Sequence, residues 1–348
     1  MHMQLTPEQK NILQKALALT VGAVLLVGCF LAAPTIATAI PSSFAAYLSA
    51  EPPIGVLAVL RAESMDAAPI VPHPPQSVPT PPEDSAPPVP EDAISVFADS
   101  FCWYEPDQPP TLDLINGTSF RADLQDYLQK RYPIAKPATG EPIVLIVHTH
   151  GSESYLPDGT DYYLPGEDFR STDPTQTVIA AGEVIADALN ALGITTVHDK
   201  TLHDTEDFNR AYLYTRKTIE AYLQEYPSIL YILDVHRDSI ETADGICSKT
   251  LTTIDGTPTA QVMLVVGTDQ NGASHPDWQT NLTVATYLQN RMHELYPTLA
   301  RPLNLRADAF NQWLSSGALL VEIGSCGNTV TEAKTAARLF AWAFASMI

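Results

Sequence analysis

The stretch PIVLIVHTHGSESY, residues 142–155, decides the fold of this chain. Its first six residues form a continuous apolar run, which is typical of a strand buried on both faces of a parallel sheet. Polar side chains follow directly, at the point where that strand ends. In open α/β sheets the functional groups gather at the carboxyl ends of the strands. The stretch therefore predicts both a central strand and the first part of a functional site.

Outward from this strand, short apolar runs alternate with segments of helical periodicity. Further strands are predicted at 194–197, 229–235 and 317–323, and a hairpin at 247–266 that turns at Asp255-Gly256. Helices are predicted at 120–132, 173–193, 208–226, 282–296 and from 329 onward. Asp173-Pro174 begins the second of these helices, while Thr329 and Glu332 have capping-box spacing. The alternation predicts a three-layer α/β sandwich with a mostly parallel, twisted sheet.

Charge and proline content exclude some functions and define a linker. The 348 residues include 19 basic and 40 acidic side chains, which give a net charge of −21. Because such a chain repels polyanions, nucleic-acid binding through a basic face is excluded. Of the 29 prolines, ten lie between Pro69 and Pro90, in a segment with too few large apolar residues to form a core. That segment is predicted to be an extended stalk.

The N-terminal region is predicted to place the rest of the chain outside the cytoplasm. Residues 16–40 carry no charge, and Lys10 and Lys15 precede them. About 20 apolar residues cross a bilayer, and basic residues favour the cytoplasmic side. We therefore predict a cytoplasmic tail at 1–15, a single transmembrane anchor at 16–40, a juxtamembrane and Pro-rich acidic linker at 41–110, and an extracytoplasmic domain at 111–348. A lipoprotein-type cleavage site ending at Cys29 and a signal-peptide site at 37–39 remain alternatives.

Polar side chains at three predicted strand ends suit a metal site. His150 and Glu153 have H-x-x-E spacing, which lets both reach one cation, and His236 on a separate strand supplies a third ligand. Two neutral imidazoles and one carboxylate suit Zn²⁺, with the fourth position left for water. Glu322 ends another buried strand and is the candidate for the base that takes a proton from that water.

Other residues near these strand ends have more than one interpretation. His148, two residues before His150, is expected on the same side of the strand, where it either replaces His150 as a ligand or supports the ligands. Arg237 belongs to an ion network that includes Asp234, or it binds a carboxylate of the substrate. His203 is either a structural or loop histidine or, because it follows a strand end, a residue that lines the cleft.

The four cysteines, Cys29, Cys102, Cys247 and Cys326, include no C-x-x-C pair. This argues against a cysteine-rich zinc or iron–sulfur site. A disulfide between Cys247 and Cys326 suits an exported domain, but spacing alone does not determine the pairing.

Five stretches in this order resemble the stage II sporulation protein P family of peptidoglycan hydrolases. They are HTHGSESY (148–155), HDKTLHD (198–204), LDVHRD (233–238), GTDQNGASHPDWQTN (267–281) and FNQWLSSGALLVEIGSCGNTVTEA (310–333). The resemblance covers the chain from about residue 140 to its end. The apolar N-terminal segment and the linker also suit this family.

The resemblance implies a fold like that of zinc-dependent N-acetylmuramoyl-L-alanine amidases. Carried over to this chain, His150, Glu153 and His236 bind the metal, and Glu322 is the catalytic glutamate. Related amidases place the metal-binding Glu at the start of the first helix. This chain has Gln176 and Thr177 there, which leaves Glu153 as the nearest acidic candidate.

The resemblance also implies a biological role. It predicts removal of stem peptides from peptidoglycan during sporulation engulfment, with cross-link endopeptidase activity as an additional option. The implied partners are stage II sporulation protein D and stage II sporulation protein M, in the membrane-bounded space between forespore and mother cell.

Two other functions remain as alternatives. The first is an inactive wall-binding scaffold for a partner transglycosylase, and the second is a zinc carboxypeptidase that trims stem peptides. From Glu141 onward the chain has 12 basic and 26 acidic residues. An acidic domain does not adhere to an anionic wall by bulk charge, so substrate recognition is expected to be local.

Overall fold

The computed structural model describes residues 89–101, 112–134, 140–242 and 246–348. The predicted tail, anchor and most of the predicted linker lie outside these ranges. Within them, no helix combines the length and the apolar character that a membrane crossing requires.

Twelve strands and five α-helices form the described part of the chain. The strands are β1 (Ile94–Ser95), β2 (Phe97–Asp99), β3 (Leu114–Asn116), β4 (Val144–Val147), β5 (Tyr162–Tyr163), β6 (Thr196–His198), β7 (Tyr231–Asp238), β8 (Ser248–Ile254), β9 (Thr257–Ala260), β10 (Val262–Gly267), β11 (Leu303–Arg306) and β12 (Gly317–Ser325). The helices are α1 (Leu124–Leu128), α2 (Val178–Ala191), α3 (Ala211–Glu225), α4 (Trp278–Leu295) and α5 (Val330–Met347).

Seven strands form the main sheet, in the order β3-β11-β10-β12-β7-β4-β6. All neighbouring pairs in this sheet are parallel except β10 and β12. The prediction of a mostly parallel sheet is therefore confirmed. The predicted hairpin is also present, because β8 and β9 pair antiparallel and the turn residues Asp255 and Gly256 both have positive φ.

Helices cover both faces of the main sheet. On one face, α2, α4 and α5 pack with alternate residues of the central strands, such as Leu233 of β7 and Val321 of β12, in the largest apolar cluster. On the other face, α3 packs through Ile219 against Leu145 and Ile232. Because successive strand residues alternate between faces, both faces of the central strands are apolar along most of their length.

Two helix boundaries test the capping predictions. Thr329 and Glu332 form the predicted capping box at the start of α5, with both reciprocal hydrogen bonds present. The prediction that Asp173-Pro174 begins α2 is wrong, because the N-cap is Thr177, whose hydroxyl accepts the Ile179 N–H. Asp173 instead closes a local turn by accepting hydrogen bonds from the N–H and hydroxyl of Thr175. Asp173 and Thr177 both have side chains that can cap a helix. Of the two, Thr177 lies next to the apolar face of α2 that packs on the sheet.

The central strands are longer than predicted at their carboxyl ends. β7 continues to Asp238 and β12 to Ser325, because the two strands pair in register over most of their length. His236 therefore lies within a strand, directly beside Glu322 of β12. β4, in contrast, ends at Val147, and the chain then turns.

A short segment of the predicted linker packs on the domain. β1 pairs antiparallel with β5, and β2 pairs parallel with β8. Ile94 and Val96 pack against an apolar cluster that includes the disulfide between Cys247 and Cys326. Residues 94–99 of the predicted linker 41–110 thus form strands whose alternate apolar side chains, Ile94 and Val96, pack on the domain.

A histidine pair joins the end of β4 to the end of β6, next to α2. His148 Nδ1 donates to the carbonyl oxygen of Val235 at 2.8 Å, and His148 Nε2 lies 2.8 Å from His198 Nε2. Burial lowers the pKa of His148 to about 3, so the neutral ring accepts the proton of His198 Nε2. Gly182 of α2 provides the space, since a Cβ there would lie 2.7 Å from His148 Nε2.

We expect Val96→Ser to destabilise the domain by about 1 kcal/mol, because it removes apolar contact with the disulfide cluster. Phe97→Ser is the matched control, since Phe97 is adjacent but its side chain is 56% exposed. Thermal unfolding of both variants, with the disulfide intact, measures the difference. Equal melting temperatures for the two variants would show that β1 and β2 do not pack as described.

Gly182→Ala should destabilise the domain by about 1–3 kcal/mol, because the added methyl group overlaps both imidazoles. This change in stability is opposite to the usual one, since Gly→Ala inside a helix normally stabilises a protein by about 0.5–1 kcal/mol. Chemical denaturation measures the change. In the His198→Ala background, which vacates part of the space, the same substitution should cost less, and an unchanged cost would contradict the packing.

Candidate active site

Asp234 connects the two strands that carry the candidate ligands. It lies on the same face of β7 as His236, since the two residues are two positions apart. Its buried carboxylate accepts hydrogen bonds from the Thr149 N–H at 2.8 Å and the Thr149 hydroxyl at 2.6 Å. Asp234 Oδ1 also lies 3.0 Å from His236 Nε2. One carboxylate therefore fixes the turn after β4 relative to the His236 ring.

His236 lies between two carboxylates. Its Nε2 faces Asp234, and its Nδ1 lies 3.4 Å from Glu153 Oε2. Although burial opposes it, these two negative groups raise the pKa of His236. Burial likewise opposes ionisation of Glu153, but His236 and Arg237 lower its pKa. The arrangement favours positive charge at this position, from either a proton or a metal ion.

Glu153 lies at the start of α2, although it belongs to a different segment. The carbonyl oxygen of Glu153 accepts a hydrogen bond from the N–H of Val178, the first residue of α2, at 2.9 Å. The next residue, Ser154, forms a β-bridge with Thr177. The N–H of Arg237 donates to Glu153 Oε2 at 3.2 Å. Glu153 thus lies beside the start of α2, where the resemblance places a metal-binding glutamate.

His150 lies in the turn after β4, next to α3. Its ring stacks on Phe208 with 4.1 Å between centroids, and 5.5 Å separates it from the His236 ring. Burial and the nearby His236 lower the pKa of His150, which favours the neutral ring. His150 Nδ1 is buried without a hydrogen-bond partner in the described chain, 3.9 Å from Asp204 Oδ2. The neutral ring therefore has a nitrogen available for a ligand.

Glu322 lies beside His236 in the adjacent strand, on the same face of the sheet. Its Oε2 is buried and has no hydrogen-bond partner among the described residues. Burial raises the pKa of Glu322, and the nearby negative charges of Asp238 and Glu153 raise it further. A carboxyl group with this environment exchanges a proton more readily near neutral pH than an exposed glutamate does.

Two of the residues with several interpretations, His148 and His203, pair with residues outside this cluster. His148 faces α2, so the prediction that it shares a side with His150 is wrong. The reason is that β4 ends at Val147 and strand alternation does not continue into the turn. His203 lies 3.7 Å from Asp199 Oδ1 in an i,i+4 pair.

Arg237 is buried and donates through its side chain to backbone carbonyl oxygens. Two of these belong to Ser154, at 3.1 Å, and to Phe169, at 2.7 Å. The interpretation of Arg237 as a binder of a substrate carboxylate is therefore not supported. Its contacts instead hold the segment that carries Glu153.

Four further residues shape the site and were missed or left unassigned in the sequence. Tyr212 lies with its ring edge-on to His150 at 5.6 Å, and Phe208 stacks on the same ring. Asp204 accepts hydrogen bonds from the N–H and hydroxyl of Ser152, which holds the turn after β4. The position of Asp234 was predictable from the sequence, because a D-x-H pattern within a buried strand places both side chains on one face of the sheet. The other three come from loops and helix starts and carry no comparable pattern.

The donor set can be tested for its fit to a metal ion. Two imidazoles and a carboxylate are donor types that zinc prefers, and the ring centroids of two histidine ligands on one tetrahedral zinc lie about 5 Å apart. The separation of His150 and His236 is close to that value, at 5.5 Å. Within the described ranges, however, no three His, Cys, Asp or Glu side chains are gathered closely enough to hold a metal. The three side chains are therefore of the types and the number that zinc binds, and they lie near one another. They are not arranged as a complete coordination shell.

Comparison with known proteins identifies relatives of this chain. The family model described as stage II sporulation protein P matches residues 110–345. Stage II sporulation protein P of Bacillus subtilis (strain 168) is 31% identical over 240 residues, which cover 64% of this chain and 55% of that protein. The chain thus spans about half the length of this curated relative.

Among solved structures, the chain is similar to two amidases at a low level. They are N-acetylmuramoyl-L-alanine amidase AmiC2 of Nostoc punctiforme and the apo form of the amidase Ami1 from Mycobacterium abscessus. AmiC2 is 15% identical, with a TM-score of 0.35 and coverage of 61% of this chain and 97% of that one. Ami1 is 16% identical, with a TM-score of 0.35 and coverage of 60% and 97%. The family model matches most of the described domain, and the chain therefore belongs to the stage II sporulation protein P family.

Proposed function

We propose that this chain is a zinc-dependent peptidoglycan hydrolase that cleaves the N-acetylmuramoyl-L-alanine amide during sporulation. The observation that carries the proposal is the position of His236, which lies 3.4 Å from Glu153 and directly beside Glu322 across paired strands. His150 adds a second imidazole at 5.5 Å. Family membership supports a role in sporulation.

His150, Glu153 and His236 would hold the zinc ion. When bound, zinc lowers the pKa of a water molecule and polarises a carbonyl oxygen. Asp234 supports this assignment, since its carboxylate faces His236 Nε2 and keeps that nitrogen protonated. His236 Nδ1 is then the unprotonated nitrogen, on the side that faces Glu153.

Glu322 would carry the proton during the reaction. Its raised pKa and its unpaired Oε2 suit a group that accepts a proton from the attacking water and donates it to the leaving amine. Because Glu322 is fixed in the middle of the sheet, it has little freedom to move away from His236. Tyr212 and Phe208 would exclude bulk water from one side of this cluster.

The proposed location is outside the cytoplasm, with the chain anchored through residues 16–40. The disulfide between Cys247 and Cys326 supports this placement, because such bonds persist in oxidising compartments. The space between forespore and mother cell, and interaction with stage II sporulation proteins D and M, belong to the same proposal.

Glu322→Gln should lower the release of stem peptides at least 100-fold, because it removes the proton acceptor, while zinc stays bound. The assay incubates purified sacculi with the exported domain, with and without EDTA, and weighs the products by muropeptide mass analysis. Glu220→Gln is the control, since this exposed carboxylate lies on α3 and pairs only with Arg216 among the described residues.

Wild-type digestion that EDTA abolishes and that releases intact stems supports the amidase. Unchanged digestion by Glu322→Gln would contradict the assigned role of Glu322. Shortened stems would indicate a carboxypeptidase. Retention on sacculi with no products would indicate a scaffold.

A further inference from the structure

The proposed substrate is anionic, yet the domain that would bind it is strongly acidic. Arg237, the cation expected at the site, is buried against carbonyl oxygens. Arg301 is also buried, and its Nη1 lies 2.8 Å from Asp238 Oδ2. Neither of these two arginines is therefore available to a carboxylate of the substrate.

Arg170 is an exposed cation that is connected to the candidate ligands Glu153 and His150 by two sets of contacts. Its backbone forms an antiparallel bridge with Glu153. Its guanidinium carbon lies 4.1 Å from the centroid of the Phe208 ring, and the same ring stacks on His150 with 4.1 Å between centroids. Arg170, Phe208 and His150 thus form one stacked column that leads from solvent to the metal-binding cluster.

In this stacked column, the positive charge of Arg170 remains available to bind an anion. Phe208 is 41% exposed, so the outer end of the column is open to solvent. Among the residues that the structure describes, no carboxylate lies within ion-pair distance of Arg170, in contrast to Arg216, Arg291 and Arg301. A guanidinium that stacks by its flat face keeps its N–H edge free for two parallel hydrogen bonds to a carboxylate.

We propose that Arg170 binds a free carboxylate of the substrate peptide, close to the amide that is cleaved. This inference rests on the proposed function and names a specificity residue for it. Two stacking distances separate the guanidinium from His150, and an extended peptide spans about 3.5 Å per residue. The carboxylate therefore belongs to a residue within about two positions of the scissile amide.

The test uses two synthetic muramoyl peptides that differ in one group. In the first, the second residue of the peptide carries a free carboxylate, and in the second that group is a primary amide. Arg170→Gln should raise KM for the carboxylate substrate about tenfold, with little change in kcat, and leave KM for the amide substrate unchanged. Arg170→Lys should restore part of the affinity, because it keeps the charge but loses the bidentate geometry.

Arg210→Gln is the matched control. Arg210 stacks on Tyr214, 5.2 Å from the ring centroid, and not on the ring that contacts His150. This variant should treat both substrates as the wild type does. Zinc content is measured for every variant, because loss of zinc in Arg170→Gln would show that the residue supports His150 through Phe208 and would overturn the proposal.

Equal effects of Arg170→Gln on both substrates, or no effect on either, would also overturn the proposal. Binding of both peptides by calorimetry, in the Glu322→Gln background, separates this failure from failure of the proposed function. If wild type cleaves neither peptide, the proposed activity fails, and the calorimetry still decides whether Arg170 selects the carboxylate.

Discussion

The buried carboxylate of Asp234 is the interaction on which the site depends. A charge in this position is costly unless it is fully compensated. Two hydrogen bonds from Thr149 and the facing His236 ring supply that compensation. Because Thr149 lies in the turn after β4 and Asp234 lies in β7, the same contacts set the distance between His150 and His236. The spacing of the candidate ligands is therefore a consequence of how two neighbouring parallel strands are joined at their carboxyl ends.

Other contacts position the carboxylates around the two imidazoles. Register between β7 and β12 places Glu322 beside His236, and hydrogen bonds from Arg237 hold the segment of Glu153. The resulting cluster is rich in negative charge, within a domain that is itself acidic. A divalent cation at the centre and a single guanidinium at the rim would each compensate part of that charge locally. Charge compensation at these two positions agrees with the expectation that the substrate is recognised locally and not through the overall charge of the domain.

The sequence predicted those features that follow from local patterns. The apolar run at 142–147, the capping box at Thr329 and the polar strand ends all depend on a few neighbouring residues. Their periodicity is visible without knowledge of the rest of the chain. The turn at Asp255-Gly256 is predictable for the same reason.

Features that depend on distant partners were not predicted. The start of α2 was misplaced, since two capping residues were available and packing selected the second. His148 was assigned to the wrong side, because where β4 ends depends on its neighbours in the sheet. Neither interpretation of Arg237, as part of an ion network or as a substrate binder, anticipates its carbonyl partners, which lie 68 and 83 residues away in the chain. The strands at residues 94–99 cover a surface made by residues distant in the chain, which include Leu156, Cys247 and Cys326.

The zinc content of the purified domain tests the central claim most directly. Elemental analysis after dialysis should find one zinc ion per chain in the wild type and in His203→Ala, because His203 pairs with Asp199 away from the cluster. His236→Ala should lose the zinc, since this residue is the centre of the proposed ligand set. Absence of zinc from the wild type, or its retention in His236→Ala, would contradict the account.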